Sequence, residues 1–247
     1  MYQFFVDPSQ IHDQKVYIDG SDYNHLRNVL RIKIGEEFNV VTGDNDLEYR
    51  CAVIEYTDDQ AICEIRFSKE ADHELPSKVY LFQGLPKADK MESIVQKNVE
   101  LGAFQIVPVE MKRCVVKLEP KKVQAKTARW QGISEAAAKQ SKRGVIPEVK
   151  SLMSYSEAIA YAKDNCDVLL LPYEMAEGME GTRELLKNIE PGQSIAVFIG
   201  PEGGFDPKEI DIALEAGFKT ITLGKRILRT ETAGMTLMSV LMFQLEQ

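Results

Sequence analysis

From residue 79 onward the chain alternates short, almost wholly apolar runs with stretches of helical spacing. This rhythm restricts the fold more than any other property of the sequence. Val79-Tyr80-Leu81-Phe82, Phe104-Gln105-Ile106-Val107-Pro108-Val109, Val168-Leu169-Leu170-Leu171, Ser194-Ile195-Ala196-Val197-Phe198-Ile199 and Thr220-Ile221-Thr222-Leu223 read as strands. Between and after them lie helical segments: Asp89 to Leu101, stopped by Gly102; Pro120 to Ser141; a stretch near Arg183-Glu184-Leu185-Leu186; Pro207 to Ala216; and a last one from Thr232. Strands this apolar have no face to offer water. The pattern therefore predicts an α/β domain, a parallel sheet covered by helices on both faces.

The first 70 residues have a different rhythm. Val16-Tyr17-Ile18, Glu37 to Val41, Tyr49 to Ile54 and Ala61 to Ile65 are short β-prone runs separated by polar turns such as Thr42-Gly43-Asp44-Asn45. One helix is expected from Asp22 to Leu30, capped by Ser21. Strands at this spacing predict a small barrel. The chain turns polar between Ser68 and Ser77, which places a linker there and two domains at 1–72 and 73–247.

Charge follows the same division. The formal net charge of −8 lies in residues 1–72, with 7 Lys+Arg against 15 Asp+Glu, while 110–150 hold 11 basic and 4 acidic residues. An acidic protein with one basic stretch can still grip a polyanion locally. Cys51, Cys63, Cys114 and Cys166 are scattered, and with three histidines they match no zinc spacing, so reduced buried thiols and no metal are expected. No signal peptide and no membrane-length apolar run are recognisable, so a cytoplasmic location is expected.

Two short runs concentrate the chemistry: Ile199-Gly200-Pro201-Glu202-Gly203-Gly204-Phe205, and Leu223-Gly224-Lys225-Arg226-Ile227-Leu228-Arg229-Thr230-Glu231-Thr232-Ala233. Each follows an expected strand and opens into an expected helix. Ligands of open parallel sheets sit beyond the carboxyl ends of the strands, and glycines there let backbone groups reach them. Leu171-Pro172 ends a third strand. Neither a Walker-type phosphate loop nor a G-x-G-x-x-G turn is present, so nucleoside triphosphates and conventionally held dinucleotides are excluded.

The paired runs resemble the C-terminal signature of RsmE-type 16S rRNA uracil-N3 methyltransferases of the SPOUT class. His25-Leu26-Arg27-Asn28-Val29-Leu30-Arg31 resembles the N-terminal motif of that family. Glu135-Ala136-Ala137, Gln140-Ser141, Arg143 and Ile146-Pro147-Glu148-Val149 resemble its central one. The resemblance implies a trefoil-knotted parallel-sheet catalytic domain preceded by a PUA-like barrel, a homodimer, S-adenosyl-L-methionine as cofactor and 16S rRNA of the small ribosomal subunit as partner. It places the cofactor against Leu171, Pro172, Ile199, Gly200, Pro201, Glu202, Gly203, Gly204, Leu223, Gly224, Arg226, Ile227, Leu228 and Thr232. Action on tRNA by the same fold, or a non-catalytic role in ribosome assembly, remains as an alternative.

Uracil N3 must lose its proton to become a nucleophile. A cation near the carbonyl oxygens would steady the anion, a role for Arg229 before Arg226, and a carboxylate could take the proton, a role for Glu202 or Glu231. Thr230 or Thr232 is expected to cap the last helix. N3 lies on the pairing edge, so the base must be unpaired or flipped. Expected RNA grips are Arg27, Arg31 and Lys33 in the barrel and Lys112, Arg113, Lys139, Lys142 and Arg143 in the basic stretch. Tyr155 is a candidate for base stacking, whereas Trp130 is expected in the core.

Overall fold

A computed structural model describes residues 1–43, 47–176 and 178–246. The chain forms two compact units, 1–74 with 138–146, and 75–137 with 147–247.

The first unit contains β1 (Gln3–Phe5), β2 (Ile11–His12), β3 (Lys15–Asp19), α1 (Gly20–Asn24), β4 (Glu37–Val41), β5 (Leu47–Tyr56) and β6 (Gln60–Glu70). They make one six-stranded sheet in the order β1-β4-β5-β6-β3-β2, antiparallel except for β1 beside β4. The long β5–β6 hairpin shifts register at Arg50/Cys51 and at Val53/Glu55. Such bulges increase twist. Here the sheet carries a core that includes Val16, Ile18, Leu26, Phe38, Val40, Cys51 and Val53. All four expected strands are present; β1 and β2 were not foreseen. The expected helix differs: α1 ends at Asn24 and a π-helical turn, His25–Val29, follows. Ser21 lies inside α1 behind Asp19 at the N-cap, so it is not the cap. Asp44 and Asn45 of the expected turn lie outside the described residues.

The second unit holds β7 (Lys78–Gly84), α2 (Lys90–Glu100), β8 (Gln105–Glu110), most of α3 (Pro120–Ser141), β9 (Glu148–Val149), β10 (Met153–Ser154), α4 (Tyr155–Asn165), β11 (Val168–Pro172), α5 (Met179–Lys187), β12 (Ser194–Ile199), α6 (Pro207–Glu215), β13 (Lys219–Ile221) and α7 (Thr230–Leu245). Its seven strands are all parallel, in the order β10-β8-β7-β12-β11-β13 with β9 also on β8. From β7 the chain steps outward to β8, crosses to β11, turns back to β12 and leaves again to β13. The ends of β7, β12 and β11 are thus neighbours although their loops are far apart in sequence. Phe82 and Phe198 stack at 4.3 Å between centroids, and both are fully buried. Helix α4 was not foreseen, although Ser154 and Glu157 form a capping box at its start that the sequence displays. Tyr155 is buried and its hydroxyl donates to the Glu209 carbonyl at 2.7 Å, so it packs rather than presenting a ring to a base. Trp130 is buried as expected. The four cysteines are free thiols, and burial pushes Cys51, Cys63 and Cys166 up to about 12. No described helix is long and apolar enough to cross a membrane.

Candidate active site

The two glycine-containing runs come together at the carboxyl ends of β12, β11 and β13. They enclose a cavity of about 390 Å³, within the size range of small-molecule sites. Pro172, Ile199, Gly200, Pro201, Glu202, Gly204, Leu223, Arg226, Ile227, Leu228 and Arg229, all singled out in the sequence, line it. Leu171 is fully buried behind this wall, and Gly203, Gly224, Glu231 and Thr232 lie outside the lining.

The loop after β12 is held very tightly. A Cβ on Gly84, at the end of β7, would meet Pro201 N and Cδ at 2.7 Å. A Cβ on Gly200 would meet the Gly204 backbone at 3.2 Å. At Gly84 a side chain would force its neighbours to shift, and at Gly200 it would make an unusually tight contact. The Thr230 hydroxyl donates to the Gly200 carbonyl at 2.7 Å and accepts from Gln83 Nε2 at 2.8 Å; Gln83 Nε2 also donates to the Gly84 carbonyl at 2.9 Å. One hydroxyl therefore stitches β7, the first glycine loop and the start of α7. This corrects the expected cap. Arg229 is the N-cap residue of α7 without a side-chain cap bond, Thr230 is spent on this stitch, and Thr232 lies within the helix. From the other side, Arg113 Nη1 donates to the Gly203 carbonyl at 3.0 Å, and Lys112 pairs with Asp206 at 2.9 Å. Asp206 and Glu209 then form the capping box of α6.

Lys90, at the first turn of α2, was missed. Its ammonium lies 3.2 Å from Glu202 Oε1 and 3.2 Å from Glu231 Oε2, joining a carboxylate from each glycine run. Hydrogen bonds to Glu202 and Glu231 raise the Lys90 pKa. Burial would raise the Glu202 pKa, but its own backbone N–H, that of Lys87 at 3.1 Å, and Lys90 outweigh burial and lower it. Glu231 is lowered in the same way, with Arg229 adding to the effect. Both carboxylates are therefore ionised at neutral pH and are weaker bases than an ordinary glutamate. Lys90 follows a β-strand end, Gln83-Gly84-Leu85, that is next to β12 in the sheet. That position was the available signal, but it becomes visible only when the strand order is known. Tyr173, Glu174, Phe205, Thr230 and Ala233 also line the cavity.

The expected RNA grips divide. Arg143 is 3% exposed and paired with Glu74, which also accepts from the backbone N–H groups of Gly144 and Val145 at 3.1 and 3.4 Å. It braces the return of 138–146 into the first unit and is not on the surface. Arg27 lies over the Tyr23 and Tyr56 rings at 5.6 and 5.4 Å and donates to the Thr57 carbonyl at 2.9 Å. Arg31 and Lys33 are exposed. Arg113 is exposed but engaged with the glycine loop. Among the described residues, no group of three or more His, Cys, Asp or Glu could hold a metal ion.

A cavity built from backbone at the strand ends of a parallel sheet is the usual place for a small-molecule ligand in such a fold. The RNA methyltransferase domain family matches residues 73–242, and the RNA methyltransferase PUA domain family matches residues 18–66. The chain belongs to the ribosomal RNA small subunit methyltransferase E family, being 32% identical over 252 residues to the Bacillus subtilis member, across 100% of this chain and 98% of that one. The Aquifex aeolicus member is 34% identical over 223 residues, covering 90% and 91% of the two chains. A crystal structure of the Neisseria gonorrhoeae member, bound to S-adenosyl methionine, superposes with a TM-score of 0.83 at 31% identity over 98% of this chain and 97% of that one. The fold class expected from the sequence, a SPOUT-type parallel α/β domain preceded by a PUA-like β unit, is the one found.

Proposed function

We propose that this chain uses S-adenosyl-L-methionine to methylate N3 of a uridine in 16S rRNA, acting on the small ribosomal subunit as a cytoplasmic homodimer. In this reading residues 1–72 help to hold RNA and 73–247 carry the chemistry. The observation that supports it most is the backbone-built cavity, lined by apolar side chains together with Lys90, Glu202 and Arg229, with Lys90 also paired to Glu231 outside the lining. The names of the relatives and the cofactor bound to one of them agree with it.

The residues present fit that cofactor. Ile199, Leu223, Leu228 and Phe205 offer apolar walls for a flat ring, and Ile227, 85% exposed on the rim, is an apolar side chain that a ligand would cover. The loops beside Gly200 and Gly204 leave backbone groups close to any ligand. When bound, the cofactor supplies an electrophilic methyl group on a good leaving group. The protein's task is then orientation. Arg229, exposed at the cavity mouth, faces the oxygens of the incoming uracil and steadies its anion. Lys90 keeps Glu202 and Glu231 together and ionised. These carboxylates accept the N3 proton or hand it to water, and their lowered pKa makes them acceptors of modest strength. The homodimer is supported by apolar Val240 and Phe243 on α7, which are 42% and 81% exposed.

Calorimetric titration with S-adenosyl-methionine tests the first half; no binding by purified protein sinks it. A modification map of small-subunit rRNA with and without the protein tests the second. In Arg229→Ala, kcat is expected to fall about a hundredfold or more, as when one oxyanion-stabilising donor is removed, with cofactor affinity kept. Wild-type turnover would remove Arg229 from the mechanism.

A further inference from the structure

The N-terminal and central motifs that carry part of the family resemblance play no part in the cofactor cavity, yet residues from and beside them meet elsewhere. The first unit has its own cavity, of about 260 Å³, whose lining includes Tyr2, His25, Lys139, Gln140 and Lys142. His25 comes from the N-terminal run. Lys139 and Gln140 at the end of α3, and Lys142 just after it, come more than a hundred residues later, where the chain rejoins the first unit.

We propose that this cavity binds one nucleotide of single-stranded RNA, its phosphate on Lys142 and Lys139 and its base against Tyr2. The proposal rests on the reading that the substrate is RNA, and it locates a contact away from the methyl-transfer site.

Charge supports the first half. Residues 1–74 with 138–146 hold 10 Lys+Arg against 16 Asp+Glu, a net −6, so this unit as a whole repels a polyanion. The cavity is the exception: two lysines face it against one carboxylate, Asp22, which lies 3.9 Å from Lys139 Nζ. Lys142 is exposed, with its ammonium available to a phosphate. Shape supports the second half. Tyr2 is 51% exposed, and beside it Phe4, against whose ring His25 packs edge-on at 6.0 Å, and Leu30 give apolar wall. Cations, amides and an open aromatic ring in a small cavity suit a phosphate joined to a base, the usual way single strands are held. A bare anion would leave the apolar wall unused, and a folded protein partner would not enter.

Backbone conformation supplies an independent observation. Lys142 has φ of +61°, a left-handed conformation that a lysine adopts at a cost. It is imposed by its neighbours: Arg143 N–H donates to the Ala138 carbonyl at 3.0 Å, the Arg143 carbonyl accepts from Gln3 Nε2 at 2.7 Å, and the Arg143 guanidinium is locked on Glu74. Glycine would serve this turn better. The position therefore separates backbone strain from side-chain charge.

That contrast sets the test. Lys142→Gly relieves the backbone strain and removes the ammonium. Its unfolding midpoint is expected to stay level or rise, its affinity for S-adenosyl-methionine to be unchanged, and its dissociation constant for purified small ribosomal subunits to rise about tenfold. The slope of log affinity against log salt should fall by about 0.7, one phosphate contact to a single strand. Lys142→Arg should keep the affinity. Lys142→Gly binding within twofold of wild type, with an unaltered salt slope, overturns the proposal alone. Wild-type protein that fails to bind the subunits overturns the substrate reading and this proposal with it.

Discussion

Replacing Thr230 by valine removes a hydroxyl while nearly keeping the side-chain shape, and that hydroxyl joins three separated pieces of the catalytic unit. Thr230 is 5% exposed and Gln83 is fully buried, so bulk water cannot replace what is lost. The Gly200 carbonyl would lose its 2.7 Å donor, whereas Gln83 Nε2 would keep the Gly84 carbonyl at 2.9 Å. The cost is thus close to that of one orphaned buried acceptor plus part of a second bond, about 2 kcal/mol. For a unit of this size that lowers the unfolding midpoint by roughly 6 °C. If most of the cost falls on the conformation of the Gly200 loop, cofactor affinity falls about tenfold, since 1.4 kcal/mol is a factor of ten. Scanning calorimetry of the second-unit transition and titration with S-adenosyl-methionine measure the two effects, and Thr230→Ser, which retains the hydroxyl, should restore both. A valine variant that unfolds within about 1 °C of wild type and binds cofactor normally would refute the idea that this hydroxyl holds the two glycine loops in register.

Gly84→Ala places a methyl group 2.7 Å from Pro201, and overpacking of this kind costs about 1–3 kcal/mol; cofactor binding should weaken, because the displaced atoms belong to the site loop. Glu74→Gln removes the carboxylate paired with the 3%-exposed Arg143 and should cost the first unit about 3 kcal/mol in a urea titration, with little effect on cofactor affinity. The folded-state pKa values of Glu202 and Glu231 lie below the ordinary 4.5, so their stabilisation is complete above that value and is lost as pH falls through the folded values. Lys90, raised above 10.5, contributes below that value and loses its effect only as pH rises through its folded pKa. Cofactor affinity should accordingly be flat from about pH 6 to 9 and fall on acidification below the carboxylate range; a midpoint near neutrality would contradict the ion-paired arrangement.

How legible the site was depended on whether its signal was local. The glycine runs declare themselves in sequence because the chemistry of a close backbone approach demands glycine at particular places, and Gly200, Gly204 and Leu223 do line the cavity. Lys90 gave no such sign. A lysine in the first turn of an amphipathic helix reads as solvated, and only the placement of β7 beside β12 brings it between two carboxylates. Arg143 misled in the opposite sense: its charge read as a surface grip, and its burial is decided by Glu74, 69 residues away. Thr230 looked like a cap because a threonine at a helix start usually is one, but the Gly200 carbonyl and Gln83 claim its hydroxyl first.

By itself the sequence determined the rhythm of elements, the parallel character of the second unit and the family, since apolar periodicity and glycine placement are properties of neighbouring residues. The tertiary structure alone decided which distant loops share a cavity and which charges are paired. It also decided that residues 138–146 return to the first unit. Those outcomes depend on strand order and long-range packing, which bring together residues that no local pattern relates.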